Sequence, residues 1–329
     1  MDELFEKILY RAINQNVTDI HFYLKDKLKI SMRRYGVLNE YEILEKEKGS
    51  KLMNFIKYKS YINLNYRLLP QTGQFCYRVN DKEYDLRVSY LPSLDFESIV
   101  IRILNNHSKL TIDQISPLSE IKDFLYQLTK RRNGLFIVSG ATGSGKSTTL
   151  YTLLDLYIKE GGLNIITIED PIEMHKEGCI QIELNEKAGI NYHDTLKQIL
   201  RHDPDIIMIG EIRDEITAKL CLTCALTGHL VLTTLHASNA ILSLKRLLNL
   251  DISSTDLEDV LIGILSQRLK YDRKNDKVIV LGELLKKKEI QNILNHKDYS
   301  YQTFLMNAKA LIQQYHLDEK LFEVEFNEF

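Results

Sequence analysis

Nine consecutive residues, Gly140-Ala141-Thr142-Gly143-Ser144-Gly145-Lys146-Ser147-Thr148, form a complete Gly-x-x-x-x-Gly-Lys-Ser cradle directly after the apolar run Leu135-Phe136-Ile137-Val138. A glycine-rich turn between a buried strand and a helix aims successive backbone N–H groups, and the positive end of the helix, at phosphate oxygens. Gly140, Gly143 and Gly145 supply the tight backbone path. Lys146 is placed to reach the β- and γ-phosphates of a nucleoside triphosphate. The Ser147 hydroxyl is placed to complete the shell of a Mg²⁺ ion held mainly by water and phosphate.

Three groups downstream carry further chemistry. Glu169-Asp170-Pro171-Ile172-Glu173 ends a second apolar strand. Ligands of α/β sheets bind at the carboxyl ends of strands, so Glu169, Asp170 and Glu173 are expected near the cradle. Ile206-Ile207-Met208-Ile209 leads into Gly210-Glu211-Ile212-Arg213-Asp214, with Gly210 where a generic Walker B strand carries a Mg²⁺-binding aspartate. Glu211, helped by the acids at 169–173, is therefore the candidate to hold Mg²⁺ or align water. His229 and His236 flank the apolar run Leu230–Leu235, a placement that suggests a nucleotide sensor. In Asp85-Leu86-Arg87-Val88-Ser89, alternation turns Leu86 and Val88 inward and Arg87 outward.

These groups need elements to hold them. Leu4, Phe5, Ile8, Leu9, Ala12 and Ile13 recur at helical spacing and predict a first amphipathic helix. Residues 27–34 alternate as a strand. The runs 74–79 and 85–90 read as a hairpin about Asn80-Asp81, and 99–103 as a further strand. Beyond residue 110, strand-like runs at 136–138, 164–168, 206–209, 229–235 and 278–281 are separated by helical patterns at 120–132, 147–160, 193–202 and 214–227. That alternation predicts a mainly parallel, helix-covered sheet. The pattern Thr255-x-x-Glu258 has capping-box spacing and predicts a helix running through Leu269. Amphipathic stretches at 286–295 and 302–315 close the chain. The division expected is an α+β domain at 1–105, a polar linker at 106–112 and an ATPase-type domain at 113–329.

Bulk properties exclude several classes. Of 329 residues, 44% are hydrophobic and 27% charged. No segment approaches the roughly 18 uninterrupted apolar residues of a membrane span. The start Met1-Asp2-Glu3-Leu4 lacks the order of a secretory signal, so a cytoplasmic location is expected, with membrane contact only through a partner. Basic residues outnumber acidic ones by four in residues 1–109, and acidic exceed basic by six in 110–329. That asymmetry is too weak for a nucleic-acid surface. Cys76, Cys179, Cys221 and Cys224 are too scattered for a disulfide framework. Cys221 and Cys224 lie in a small-residue helical run and read as buried apolar positions.

In this order, Glu-Asp-Pro-Ile-Glu, Gly-Glu-Ile-Arg-Asp and Thr-Gly-His-x-x-x-x-Thr-Leu-His after the cradle, the chain resembles the secretion-ATPase superfamily of type II secretion and type IV pilus motors. The resemblance extends to Thr18-Asp19-Ile20-His21, Leu69-Pro70-Gln71-Thr72-Gly73, Asp85–Ser89, Ile101-Arg102-Ile103-Leu104 and Ser266-Gln267-Arg268-Leu269. It implies a RecA-like P-loop ATPase domain with a smaller N-terminal α+β, PAS-like domain. It also implies a homohexameric ring driven by ATP and Mg²⁺, with Arg87 and Arg102 carrying charge to the nucleotide and a platform protein of the inner membrane as partner. Glu211 and Glu173 are then the catalytic acids. Departures narrow the group. Gln74 stands where many relatives have a third arginine. Lys270–Lys277 lacks the cysteines of a zinc loop, so no zinc is expected. The retraction motif Ala-Ile-Arg-Asn-Leu-Ile-Arg-Glu is reduced to Lys288-Glu289-Ile290-Gln291-Asn292-Ile293-Leu294. The chain is most similar to competence-pilus assembly ATPases of Gram-positive bacteria. The other functions to weigh are a retraction or type II secretion motor and an ATP-gated scaffold with negligible hydrolysis.

Overall fold

The computed structural model describes residues 1–66, 68–104, 110–185, 189–272, 274–275 and 277–327. It divides into two compact units, Met1–Ser108 and Lys109–Phe329. Most of the segment read as a linker, residues 106–109, lies outside the described residues.

The first unit runs α1 (Asp2–Asn14), β1 (Asp19–Leu24), β2 (Lys27–Arg34), β3 (Val37–Glu45), α2 (Lys46–Lys59), β4 (Gln71–Val79), β5 (Lys82–Pro92) and β6 (Glu97–Ile103). The six strands form one sheet in the order β3-β2-β1-β6-β5-β4, antiparallel throughout. Asn80 and Asp81 have φ of 48° and 59°. Both lie in the left-handed region that a two-residue hairpin turn requires, and the turn sets Val79 opposite Lys82. The apolar stripe of α1 (Phe5, Ile8, Leu9, Ala12) and that of α2 (Leu52, Met53, Ile56) join one face of the sheet in a common core. Along β5, Tyr84, Leu86, Val88 and Tyr90 are buried in that core while Arg87 and Ser89 are exposed on the other face.

The second unit continues with α3 (Ile112–Ile115), α4 (Ser119–Leu128), β7 (Gly134–Ser139), α5 (Lys146–Glu160), β8 (Ile165–Glu169), β9 (Ile180–Glu183), α6 (Tyr192–Ile199), β10 (Ile206–Ile212), α7 (Glu215–Leu226), β11 (Leu230–Leu235), α8 (Ala240–Asn249), α9 (Ser254–Val260), β12 (Leu261–Asp272), β13 (Lys277–Lys286), α10 (Lys287–Leu294), α11 (Phe304–Tyr315) and α12 (Glu323–Asn327). Its seven-stranded sheet has the order β13-β12-β7-β11-β10-β8-β9, parallel except for β13. Two apolar cores lie against it. One holds Phe136, Val138, Leu150, Leu154 and Tyr157, the other Ile137, Ile166, Ile207, Cys221 and Leu244. Strands covered on both faces read as continuous apolar runs, which is why β7, β8, β10 and β11 stand out in the sequence.

The helix expected through Leu269 is corrected here. Only Ser254–Val260 is helical, capped by Ser253, whose hydroxyl accepts the Asp256 N–H at 3.0 Å. From Leu261 the chain is strand β12, paired with β7 on one side and β13 on the other. The run Leu261-Ile262-Gly263-Ile264-Leu265 is apolar because both faces are covered, and such a run has no period to separate strand from helix. β12 pairs with β7 only as far as Ser266 opposite Ser139, so its residues 267–272 extend past the end of β7 with β13 as their one paired strand among the described residues. Among the described residues no helix is long and apolar enough to cross a membrane.

Candidate nucleotide-binding site

β7 ends at Ser139, between β11 and β12, and the loop 140–145 delivers the chain to α5. Gly145 sits at the N-cap with φ of 89°, and Gly140 has φ of 148°. A Cβ on Gly140 would lie 2.4 Å from Ser144 Oγ and 2.5 Å from the Gln267 carbonyl oxygen, so the loop closes only around glycine there. Ala141, Thr142 and Gly143 form the exposed crest, Ser144 is buried, and Ser147 and Thr148 are half-buried at the helix start. Lys146 is 8% exposed. Its ammonium donates to the carbonyls of Gly140 at 3.1 Å and Ala141 at 2.9 Å. Burial pushes the Lys146 pKa down from its ordinary value, and the carboxylates of Glu211 and Glu173 oppose the shift. All three groups therefore share one field. The arrangement offers backbone donors, a helix N-terminus and an ammonium to an anionic ligand.

Glu211 emerges at the end of β10 between Arg213 and His236. Arg213 Nε donates to its Oε1, and His236 Nε2 lies 3.1 Å from its Oε2. The same guanidinium reaches back through Nη1 to Asp170 Oδ2 at 2.8 Å. Asp170, Glu211, Arg213 and His236 thus form one network across the carboxyl ends of β8, β10 and β11. Glu173 is exposed on the segment after β8. The Ser147 hydroxyl and the Glu211 carboxylate have the oxygen chemistry that Mg²⁺ takes. They are oxygen donors, and so few of them suits an ion whose remaining ligands are phosphate and water.

Glu169 is placed differently. It is 3% exposed and accepts from the Tyr151 hydroxyl, from Thr167 Oγ1 at 2.6 Å and from Gln181 Nε2 at 3.1 Å. Three donors occupy its oxygens, so its carboxylate ties α5 to β8 and β9. His229 is not brought to the loop either. It precedes β11 at the end where its carbonyl accepts from Gly134 N, 3.1 Å away, and its Nδ1 is 3.0 Å from the Cys224 carbonyl. The six residues of β11 put about 20 Å of strand between it and His236. Cys221 and Cys224 are buried in the core, and burial pushes both thiols up, Cys224 to about 12.

In the first unit, strand register sets Gln74, Arg87, Arg102, Asp19 and Arg33 in one row across β4, β5, β6, β1 and β2. Arg102 Nε donates to Asp19 Oδ1 at 2.8 Å. Arg87 stands beside Arg102, exposed, with no ion-pair partner among the described residues. Like charges directly opposite each other in a sheet cost stability, so this row is suited to an anion.

Three residues of the site were given no individual role by the sequence. Arg213 lies inside a quoted motif, but only the fold aims it at both Glu211 and Asp170. Tyr151 is buried in α5, and only the fold sets its hydroxyl against Glu169. Gln267 is buried, and its amide pairs with Thr149 Oγ1 at 2.9 and 3.1 Å. That contact is invisible while 255–269 is read as helix.

The chain matches the family described as Type II/IV secretion system protein over residues 1–310. It is 34% identical over 325 residues to the competence protein ComGA of Bacillus subtilis (strain 168), covering 92% of this chain and 91% of that protein. It is 38% identical over 268 residues to the type II secretion system protein E of Pseudomonas aeruginosa, covering 81% of this chain and 53% of that protein. Among solved structures, the ATPase DotB of Legionella pneumophila aligns with a TM-score of 0.83 and 22% identity, over 99% of this chain and 96% of that one. At that identity the likeness is one of fold. The pilus retraction motor PilT with bound ADP aligns with a TM-score of 0.71 and 27% identity, over 94% and 93% of the two chains.

Proposed function

This chain belongs to the Type II/IV secretion system protein family and is an ATP-hydrolysing enzyme, and from that premise we propose that it is the assembly motor of a type IV-like competence pilus. The observation that carries this reading is the near end-to-end similarity to a competence protein, 92% of one chain against 91% of the other. By contrast the chain spans about half of the type II secretion relative. The partners proposed are further copies of itself in a hexameric ring and a platform protein in the inner membrane. The ring stands at the cytoplasmic face of that membrane without inserting into it, and it makes no direct contact with nucleic acid.

In this mechanism the loop 140–145 and the first N–H groups of α5 cradle the phosphates. Lys146 exchanges its two loop carbonyls for the β- and γ-phosphates. Ser147 and Glu211 would hold Mg²⁺, which would neutralise developing phosphate charge. Glu211, with Glu173 beside it, orients the attacking water. His236 and Arg213 fix the Glu211 carboxylate, and Asp170 fixes Arg213 in turn. Arg87 and Arg102 bring positive charge from the first unit to the transferring phosphate, and an arginine used in this way is worth about 10³ to 10⁵ in turnover. Its arrival by domain closure would couple hydrolysis to movement.

The direct test pairs turnover with pili. Lys146→Ala should abolish ATP hydrolysis and pilus formation together, and intact turnover would remove Lys146 from the mechanism. A retraction motor has the same chemistry, and the likeness to PilT supports it as a second reading. Counting pili in a deletion strain separates the two, because loss of assembly removes pili and loss of retraction leaves them. An ATP-gated scaffold would bind nucleotide with negligible turnover.

A further inference from the structure

We propose that Glu325, in the last helix of the chain, is a positioning residue for the phosphate loop, acting through Arg268 and Lys270 on the end of β12. The family match stops at residue 310. The chain nevertheless continues into a folded closure. After α11, a 3-10 turn at Glu319–Phe322 buries Phe322 in the same core as Phe304, Leu311 and Ile279, and α12 follows at once. Helix α12 presents Glu325 with a side chain 0% exposed, between Arg268 Nη1 at 3.0 Å and Lys270 Nζ at 2.7 Å.

A buried carboxylate tolerates the loss of its cations poorly, so docking of the tail fixes where Arg268 and Lys270 stand. Arg268 has other anchors as well. Its Nη2 donates to the Ser238 carbonyl at 3.2 Å, and its guanidinium lies 4.3 Å from the Phe304 ring centroid.

These two cations lie on the part of β12 that has outrun β7 and, among the described residues, keeps only β13 as a paired strand. Successive residues of a strand point to opposite sides. Between and beside Arg268 and Lys270, Gln267 and Leu269 therefore turn the other way, and both meet the loop. The Gln267 amide pairs with Thr149 of α5 at 2.9 and 3.1 Å. The Gln267 carbonyl stands 2.5 Å from where a Gly140 Cβ would be, and Leu269 Cδ2 stands 3.6 Å from the same point on Gly145. Four consecutive residues thus carry the tail's clasp on one side and the loop's walls on the other. Without Glu325 this strand end would lose the tail's hold on Arg268 and Lys270, and the loop would lose its fixed wall. The consequence falls on nucleotide affinity, because the loop must be pre-formed to present its N–H groups together.

The proposal rests on residues 140–148 being the phosphate loop, and the test separates the two. The full chain is titrated with a fluorescent ADP analogue with Mg²⁺, well below its melting temperature, and ATP turnover is measured in parallel. Binding by the wild type that Lys146→Ala abolishes upholds the loop; binding unchanged in Lys146→Ala overturns that reading and the clasp with it. With the loop upheld, Glu325→Gln should raise the dissociation constant about threefold to thirtyfold, the range of coupling through packed networks. It should move kcat much less, and Glu325→Asp should restore the wild-type value. A folded Glu325→Gln that binds as the wild type does, with only a lowered melting temperature, overturns the proposal. Tighter binding overturns it too, since Arg268 and Lys270 would then be phosphate ligands that the tail withholds. If Glu325→Gln does not fold, Lys270→Met decides by the same constant, raised for the proposal and unchanged against it.

Discussion

Removing one oxygen from Tyr151 tests how the ATPase unit is braced. The hydroxyl donates to Glu169, which is 3% exposed, and accepts the Met174 N–H at 3.2 Å. In Tyr151→Phe the carboxylate keeps Thr167 and Gln181 as donors, while the Met174 N–H loses its acceptor. A hydrogen bond to a charged group is worth about 1.5–3 kcal/mol, and the stranded N–H adds to the loss, so the variant should be less stable by about 2–3 kcal/mol. For a unit of this size each kcal/mol lowers the melting midpoint by about 2–4 °C, which gives a fall of about 4–12 °C. The assay is thermal unfolding of the full chain without nucleotide, following the transition of the nucleotide-binding unit. Tyr58→Phe, at a residue 73% exposed, serves as the control. Glu169→Gln should destabilise too, and the double variant should fall short of the sum because both changes break one network. A shift below about 1 °C in Tyr151→Phe, or full additivity, would refute the reasoning that Glu169 is a structural carboxylate held by these donors.

Other consequences are as direct. Gly140→Ala forces a Cβ against Ser144 Oγ and the Gln267 carbonyl. Strain of about 1–3 kcal/mol in the loop should weaken nucleotide binding about fivefold or more, as read by titration, with the fold retained. Glu211→Gln should keep nucleotide binding and lower turnover by about 10² to 10⁴, the range for a positioned base, measured as phosphate release. The first unit should lose stability in mild acid. Burial, with Arg33 next in effect, holds the His21 imidazole below its ordinary 6.5. As the pH falls through that value the unfolded chain takes up its proton before the folded one does. Unfolding is therefore favoured below about pH 6.5 until the folded imidazole also titrates. His21→Gln should flatten that slope in denaturant melts at several pH values, and an unchanged slope would remove His21 from it.

Much of this architecture was legible in the sequence because burial on both faces writes itself as apolar runs. β7, β8, β10 and β11, and the helices between them, follow from that pattern. The same pattern misled at β12, where five residues with no polar interruption follow a true helix cap and carry no period. β3 escaped because it is an edge strand with a single buried residue, Leu44. The glycine-rich loop between β7 and α5 was legible because its pattern is local, requiring only glycine, lysine and serine at fixed spacing. The acidic network was legible only in part. Asp170, Glu211 and His236 converge because β8, β10 and β11 are parallel and end together, as alternating helices and strands imply. Glu169 and His229 differ from them by one step in strand alternation and by one strand length. Those differences depend on register and direction, which side-chain type does not encode. Glu325 lies furthest from anything the sequence discloses, since its meaning depends on a strand some 55 residues earlier.

The motor reading is tested most directly by steady-state Mg²⁺-dependent ATP hydrolysis per chain as a function of protein concentration. Sites completed by assembly predict a rate per chain that climbs with concentration and then levels off. A rate that stays flat and near zero across the range, in protein that demonstrably binds ATP, would contradict a self-assembling motor and favour the nucleotide-gated scaffold.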